Sequence, residues 1–279
     1  YVDDSATLAH YAFLNLLRVF ASANGWTVLR YDDSIPDREL ILKGPGMTGT
    51  EEIFVGFKTT QNEAADYYNI RAGVFTGYVP GNPWDSQPGA ALTALCAHNQ
   101  RIDYWLTLNG QRIAFVLKLG TPVYETCYVG KFLPYARPSQ YPYPVVCAGS
   151  LNAADATLRY SDTTASHQMP WTGGSTRLRA RSPTAWFSPS TWPWSSNRLT
   201  GIPGGFQRAA RDTAGAYPLS PIVLHSANDV WGELDGIFHV SGFNLVVEDT
   251  FYFGVTQHVA IQNVYRTGFS DYFGLRLDA

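Results

Sequence analysis

The first apolar positions of the chain, Leu8, Tyr11, Leu14, Leu17 and Phe20, recur every three residues, and Leu16 and Val19 widen the stripe. This spacing predicts an amphipathic α-helix capped by Ser5 and ended at Gly25. Its polar side is not basic, so the helix is expected to pack on a sheet or a partner rather than on a membrane surface. From Trp26 the texture changes to short strand-like runs: WTVLRY, ELILK, EEIFVGF, YYNIRAGVF, IDYWLTL, RIAFVLKL and VYETCYVGKF. Asn109-Gly110 lies between two of these runs and predicts a two-residue type I′ hairpin, because both residues tolerate positive φ. Ile113 to Leu119 does not alternate cleanly, which predicts a strand buried on both faces or covered by the helix, in a central antiparallel sheet.

Between Leu133 and Tyr217 regular pattern fades, and Pro, Gly, Ser and Trp dominate, as in PYARPSQYPYP and SPTAWFSPSTWPWSSN. From Pro218 strands return in PIVLH, GIFHVS, NLVVED, YFGVTQHVAIQNVY and YFGLRL, and they are expected to rejoin the first sheet. The fold class is α+β, predominantly antiparallel β, with one N-terminal helix on the sheet and a long irregular Pro/Trp-rich excursion. The expected organisation is a single domain, 1–279. Within it, 1–133 holds the helix and sheet, 134–217 an irregular interaction region, and 218–279 the returning strands.

Composition sharpens this picture. At 279 residues and 45% apolar content, the chain can build a sizeable core without metal or disulfide staples. The longest apolar run is cut by Lys118, so no membrane span is expected. The opening YVDDSATLAHYAF is acidic where a secretory signal is basic, so no export signal is expected. A net charge of −3 removes the drive for nonspecific phosphate binding, which argues against nucleic acid as the main partner despite the local run Arg177, Arg179, Arg181. Charged residues are only 15%, and Lys43, Lys58, Lys118 and Lys131 are the only lysines among 20 basic residues, beside 17 Tyr, 15 Phe and 8 Trp. Interfaces favour aromatic residues and arginine over lysine, so much of the surface is expected to be covered by neighbours in a homo-oligomer. The candidate assembly contacts are Tyr141, Tyr143, Trp171, Trp186, Trp192, Trp194 and Arg179.

Candidate chemistry is sparse. Gly173-Gly174-Ser175 lacks the G-x-S-x-G elbow of a serine hydrolase. The six histidines, His10, His98, His167, His225, His239 and His258, fall at no ligand spacing. Cys96-x-His98 is half a metal site, and the other thiols, Cys127 and Cys147, read as buried. The loop GPGMTGT lacks the Lys-Ser/Thr ending of a phosphate cradle and reads as a tight turn. Glu233 and Asp235 in GELDG could serve as the paired carboxylates of a polysaccharide hydrolase, against a solvated turn before GIFHVS. The loop tryptophans could instead seal their own loop, anchor a protein, or stack on sugar. No catalytic residue, metal or cofactor is expected.

The long phrases GWTVLRYD, ELILKGPGMTGTEEIFVGFKTTQNEAADYYNIRAGVFTGYVPGN, LNGQRIAFVLKLGTPVYETCYVGKFLPYARPSQYPYPVVCAGS, GELDGIFHVSGF and QNVYRTGFSDYFGLRLD resemble a family of tailed-phage virion structural proteins. The resemblance covers most of the chain outside 151–217. It implies a particle component made in the bacterial host cytoplasm and located in the phage tail, with other tail or baseplate proteins as partners and no enzyme activity. Two other expectations compete with it: a lectin-like module binding host surface glycan, and the hydrolase.

Overall fold

A computed structural model describes residues 1–135, 144–155, 157–172, 176–194, 218–226 and 229–278. The chain is predominantly antiparallel β with one α-helix near its N-terminus. Helix α1 (Ala9–Ala23) starts at Leu8 without a side-chain cap, because Ser5 donates its hydroxyl and backbone N–H to Asp3 Oδ1 instead. Its end is as expected. Gly25 adopts φ +87°, and the N–H groups of Gly25 and Trp26 reach the carbonyls of Ser22 and Ala21 at 3.4 and 3.0 Å, closing a Schellman turn.

A strict three-residue repeat drifts by roughly 60° per step on a helix of 3.6 residues per turn, so the five apolar positions cannot share one face. Ala9, Phe13, Leu14, Leu17 and Ala21 are buried, whereas Val19 and Phe20 are exposed.

Sheet I is a meander of β1 (Thr27–Asp32), β2 (Glu39–Gly44), β3 (Ile53–Asn62), β4 (Tyr67–Phe75) and β5 (Ala91–Cys96). Sheet II runs in the order β12 (Trp186–Phe187), β11 (Leu178–Arg181), β10 (Val145–Gly149), β8 (Val123–Lys131), β7 (Arg112–Gly120), β6 (Asp103–Leu108). Sheet III runs in the order β13 (Ser190–Trp192), β14 (Ser220–Ser226), β15 (Asp229–His239), β18 (Tyr272–Arg276), β17 (Thr256–Gln262), β16 (Thr250–Phe253), with β9 (Leu133–Pro134) beside β15.

Sheet II is the middle layer. In β7, Ile113, Phe115 and Leu117 enter the core shared with sheet I and α1, while Ala114 and Val116 enter the core shared with sheet III. Residues of β8 and β10 divide in the same way: Cys127, Val129 and Cys147 face sheet I, and Tyr128, Val146 and Ala148 face sheet III. The loss of alternation in Ile113–Leu119 therefore had the first of the two predicted causes, burial on both faces. The helix lies on the same face of sheet I as sheet II, with Phe13 meeting Phe115 at 5.1 Å and Tyr104 of β6 at 5.5 Å.

Three expectations are corrected. The strands after Pro218 do not rejoin sheet I; they build sheet III, which covers the second face of the middle layer. The 134–217 excursion contributes β10, β11 and β12 to sheet II and β13 to sheet III, so part of it is regular. NLVVED is not a strand, and its Asn244 and Glu248 take positive φ values of 54° and 73°.

The hairpin between β6 and β7 is present, but its turn is not type I′, since neither Asn109 nor Gly110 has positive φ. Asn109 Oδ1 accepts from the N–H groups of Gln111 and Arg112 at 3.0 and 3.2 Å, which fixes a longer turn. Glycine is needed at 110 for a different reason: a Cβ there would sit 2.5 Å from the carbonyl oxygen of Gly46. The GPGMTGT segment is the turn between β2 and β3, as expected, and its Gly46 N–H donates to Gly110 O at 2.7 Å.

Candidate functional site

Of the described candidate contacts, Arg179, Trp186 and Trp192 lie on the short strands β11, β12 and β13, and Trp171 and Trp194 lie on the connections around them. Trp171 is fully buried, packed edge-on against Phe273 at 4.8 Å, with its carbonyl accepting from Thr191 Oγ1 at 2.6 Å. As an assembly contact it is corrected: its surface is consumed inside the second core. Trp186 and Trp194 are half-buried staples. The Trp186 indole N–H donates to Gly89 O at 2.7 Å, and that of Trp194 donates to Ser270 O at 2.6 Å. Trp192 is half-buried in β13 opposite Val223, and Arg179 is half-buried in β11 opposite Cys147. Tyr141 and Tyr143 lie outside the described residues.

The paired-carboxylate expectation separates into two environments. GELDG is part of strand β15 rather than a solvated turn. Glu233 accepts from the Tyr135 hydroxyl at 2.6 Å near the surface. Asp235 is buried between sheets II and III, where its carboxylate accepts from Asn109 Nδ2 at 2.8 Å, Gln111 Nε2 at 3.3 Å, Arg112 Nε at 3.4 Å and Arg276 Nη2 at 3.4 Å. Burial alone would push this carboxyl up, but Arg112, Asn109, Arg276 and Gln111 outweigh it and hold the group below the usual carboxylate range. Burial also draws the Arg112 guanidinium down from its ordinary value. It starts so far above neutrality that it stays charged, and the pair is ionic. An ionised, clamped Asp235 is not a general acid.

A second buried polar cluster lies on the opposite face of sheet II, and of its members sequence spacing singled out only Cys96, paired with His98. Cys96 at the end of β5, Glu125 on β8 and His167 on the loop after β10 bring one ligand atom each within 4.8 Å of one another, and all three residues are fully buried. His98 is not part of it; its Nδ1 accepts from Gln100 N–H at 2.9 Å. Glu125 Oε1 lies 2.8 Å from His167 Nδ1, Oε2 accepts from the Cys96 N–H at 3.3 Å, and His167 Nε2 bonds the Asp162 carbonyl.

Burial pulls the His167 imidazole down, but the Glu125 hydrogen bond and charge, with Asp162, bring it above its ordinary value. Burial first, then Glu125 and Asp162, push the Cys96 thiol well up, so it is no activated nucleophile.

Exposed apolar surface lies elsewhere. Tyr252, Phe253 and Val255 project from the β16–β17 hairpin at the outer edge of sheet III, and Val255 is 94% exposed. The sequence signal was present in FYFGVT, where Tyr252 and Phe253 precede Gly254 and Val255 follows it on a hairpin too short to bury both faces. A second apolar surface is a groove of about 560 Å³ between α1 and β6, lined by Leu16, Val19, Phe20, Tyr104 and Leu106 among others. Among the described residues no helix is long and apolar enough to cross a membrane. No family model matches the chain, and no curated protein matches it in sequence.

Proposed function

We propose that this chain is a structural subunit of a tailed-phage virion, at the tail tip or baseplate, and that it works through assembly contacts rather than catalysis. The observation that carries the reading is the Tyr252–Val255 hairpin tip, where aromatic and aliphatic side chains stand in solvent on the outermost strand of sheet III. Among the described residues this surface is covered by no part of the chain, and a subunit interface is where such surface returns its hydration cost. The low charge, the preference for arginine over lysine and the resemblance carried by the long sequence phrases support the same reading. Other tail proteins and further copies of the chain are the partners it implies.

The rivals have less support. Trp186 and Trp194 are half-buried and anchored through their indole N–H groups, so part of each ring face that a host glycan would stack on is taken up within the chain. Asp235 is tied into an ionic clamp rather than poised as an acid beside Glu233.

A cryo-EM map of the intact particle tests the proposal. The expected result is density for this chain at the distal tail with the 252–255 tip covered by a neighbouring subunit. A tip left in solvent at the particle periphery would overturn the assembly reading and favour receptor binding.

A further inference from the structure

Asp162 presents a backbone carbonyl to His167 Nε2, and a carbonyl can only accept, so Nε2 carries a proton. In the neutral ring Nδ1 then bears a lone pair, and it faces the carboxylate oxygen Oε1 of Glu125 at 2.8 Å. Two acceptors do not approach this closely unless a positive charge lies between them. That charge is a proton shared by the two groups or a metal ion.

Two observations favour the metal. The sulfur of Cys96 converges on the same point, completing a nitrogen, oxygen and sulfur donor set within 4.8 Å. Without a metal the Cys96 thiol donates only a weak hydrogen bond, to the Leu158 carbonyl at 3.5 Å, and a metal–thiolate bond would replace it. The Nε2–H to carbonyl bond is also the support that fixes a metal-bound imidazole with its other nitrogen toward the ion. We propose that Cys96, Glu125 and His167 form a buried structural zinc site.

Thiolate, imidazole and carboxylate are the donors zinc takes, and in a tetrahedral site they stand roughly 3.5 Å apart, so the Cys96 sulfur would draw in while His167 Nδ1 and Glu125 Oε1, 2.8 Å apart, would open slightly. Zinc displaces the thiol proton and the proton shared by His167 and Glu125, and the charge left on sulfur and carboxylate neutralises the ion. The site sits where three parts of the chain meet: Cys96 ends sheet I, Glu125 lies in the middle layer, and His167 closes the loop at its bridge to Leu151, flanked by the bonds Asn152 N–H to Ser166 O and Gln168 N–H to Ser150 O. Complete burial suits a fastening role, with no access for substrate.

The test uses the full chain, expressed with zinc supplied and then desalted. Metal analysis is expected to find about one zinc per chain in the wild type and in Cys127→Ala, a buried thiol outside the cluster, and a near-complete loss in Cys96→Ala. Chain refolded with cobalt(II) in place of zinc is expected to show a thiolate-to-metal charge-transfer band, a readout on the wild type that stands even if Cys96→Ala fails to fold. Chain without zinc, and with the same thermal midpoint in added zinc and in chelator, would overturn the site and leave a proton between His167 and Glu125. Zinc retained by Cys96→Ala, or cobalt bound without the thiolate band, would also overturn the assignment.

Discussion

The two faces of the middle sheet bury the same kind of group, a carboxylate between β layers, and satisfy it differently. Toward sheet III, Asp235 is met by two guanidinium groups and two side-chain amides. Toward sheet I, Glu125 is met by one imidazole and one backbone N–H. Arginine is charged at every pH a protein meets, so the first carboxylate is neutralised permanently. The second is met by an imidazole and a backbone N–H, and among the described residues no guanidinium bonds it. The difference teaches that burial alone does not define a site; the groups that meet the carboxylate do.

The largest effect should come from removing the permanent cation. Arg112→Ala strands Asp235 in the layer interface and should cost about 3–5 kcal/mol in urea unfolding, a loss of the size seen when one partner of a buried pair is deleted. If Arg112→Ala costs no more than a surface substitution, the clamp is not what holds the two sheets. Trp171→Ala, in the same interface but purely apolar, should cost a comparable amount, about 3–5 kcal/mol, which gives a calibration free of charge effects.

Gly236 comes next. Its φ is +74°, and a Cβ would run into Arg112 Nη2, so Gly236→Ala should lose about 1–3 kcal/mol through backbone strain and displacement of the guanidinium.

Acid sharpens the contrast. Because Arg112, Arg276, Asn109 and Gln111 hold the folded Asp235 carboxyl below its unfolded value of about 3.9, the clamp contributes fully above that value. Its contribution is lost as pH falls from there through the folded pKa, with Tyr128 the other titratable group packed on it. Urea midpoints measured from neutral to strongly acid pH should fall for the wild type, and the fall should be shallower in Asp235→Asn. Equal acid limbs would remove Asp235 from the account. The smallest effect belongs to the tip: Val255→Asp should leave unfolding within about 0.5 kcal/mol of wild type while weakening assembly, measured by sedimentation.

Local signals carried much of the fold. Gly25, the hairpin at Asn109-Gly110 and the doubly covered strand at Ile113–Leu119 were legible because each depends on a few neighbouring residues. The stacking of strands 220–276 as a third layer was not, since a strand's alternation tells which side is apolar but not which sheet it meets. Strand β5 was missed because Ala91–Cys96 is rich in alanine and leucine, which carry no strand preference.

Tryptophans in a Pro-rich stretch suggested contacts, yet Trp171 fills the core and Trp186 and Trp194 tie loops to the body. The Cys96, Glu125 and His167 cluster was invisible because its members are 29 and 42 residues apart and come from three different parts of the fold.

The middle layer has no outward side. In an ordinary half-exposed strand every second position tolerates polar change, but β7 has almost none to spare. Neither outer sheet can open without laying bare a whole face of sheet II, so the amide hydrogens of Ile113–Leu117 should be among the slowest to exchange with solvent, and damage to either flank should be felt on the other.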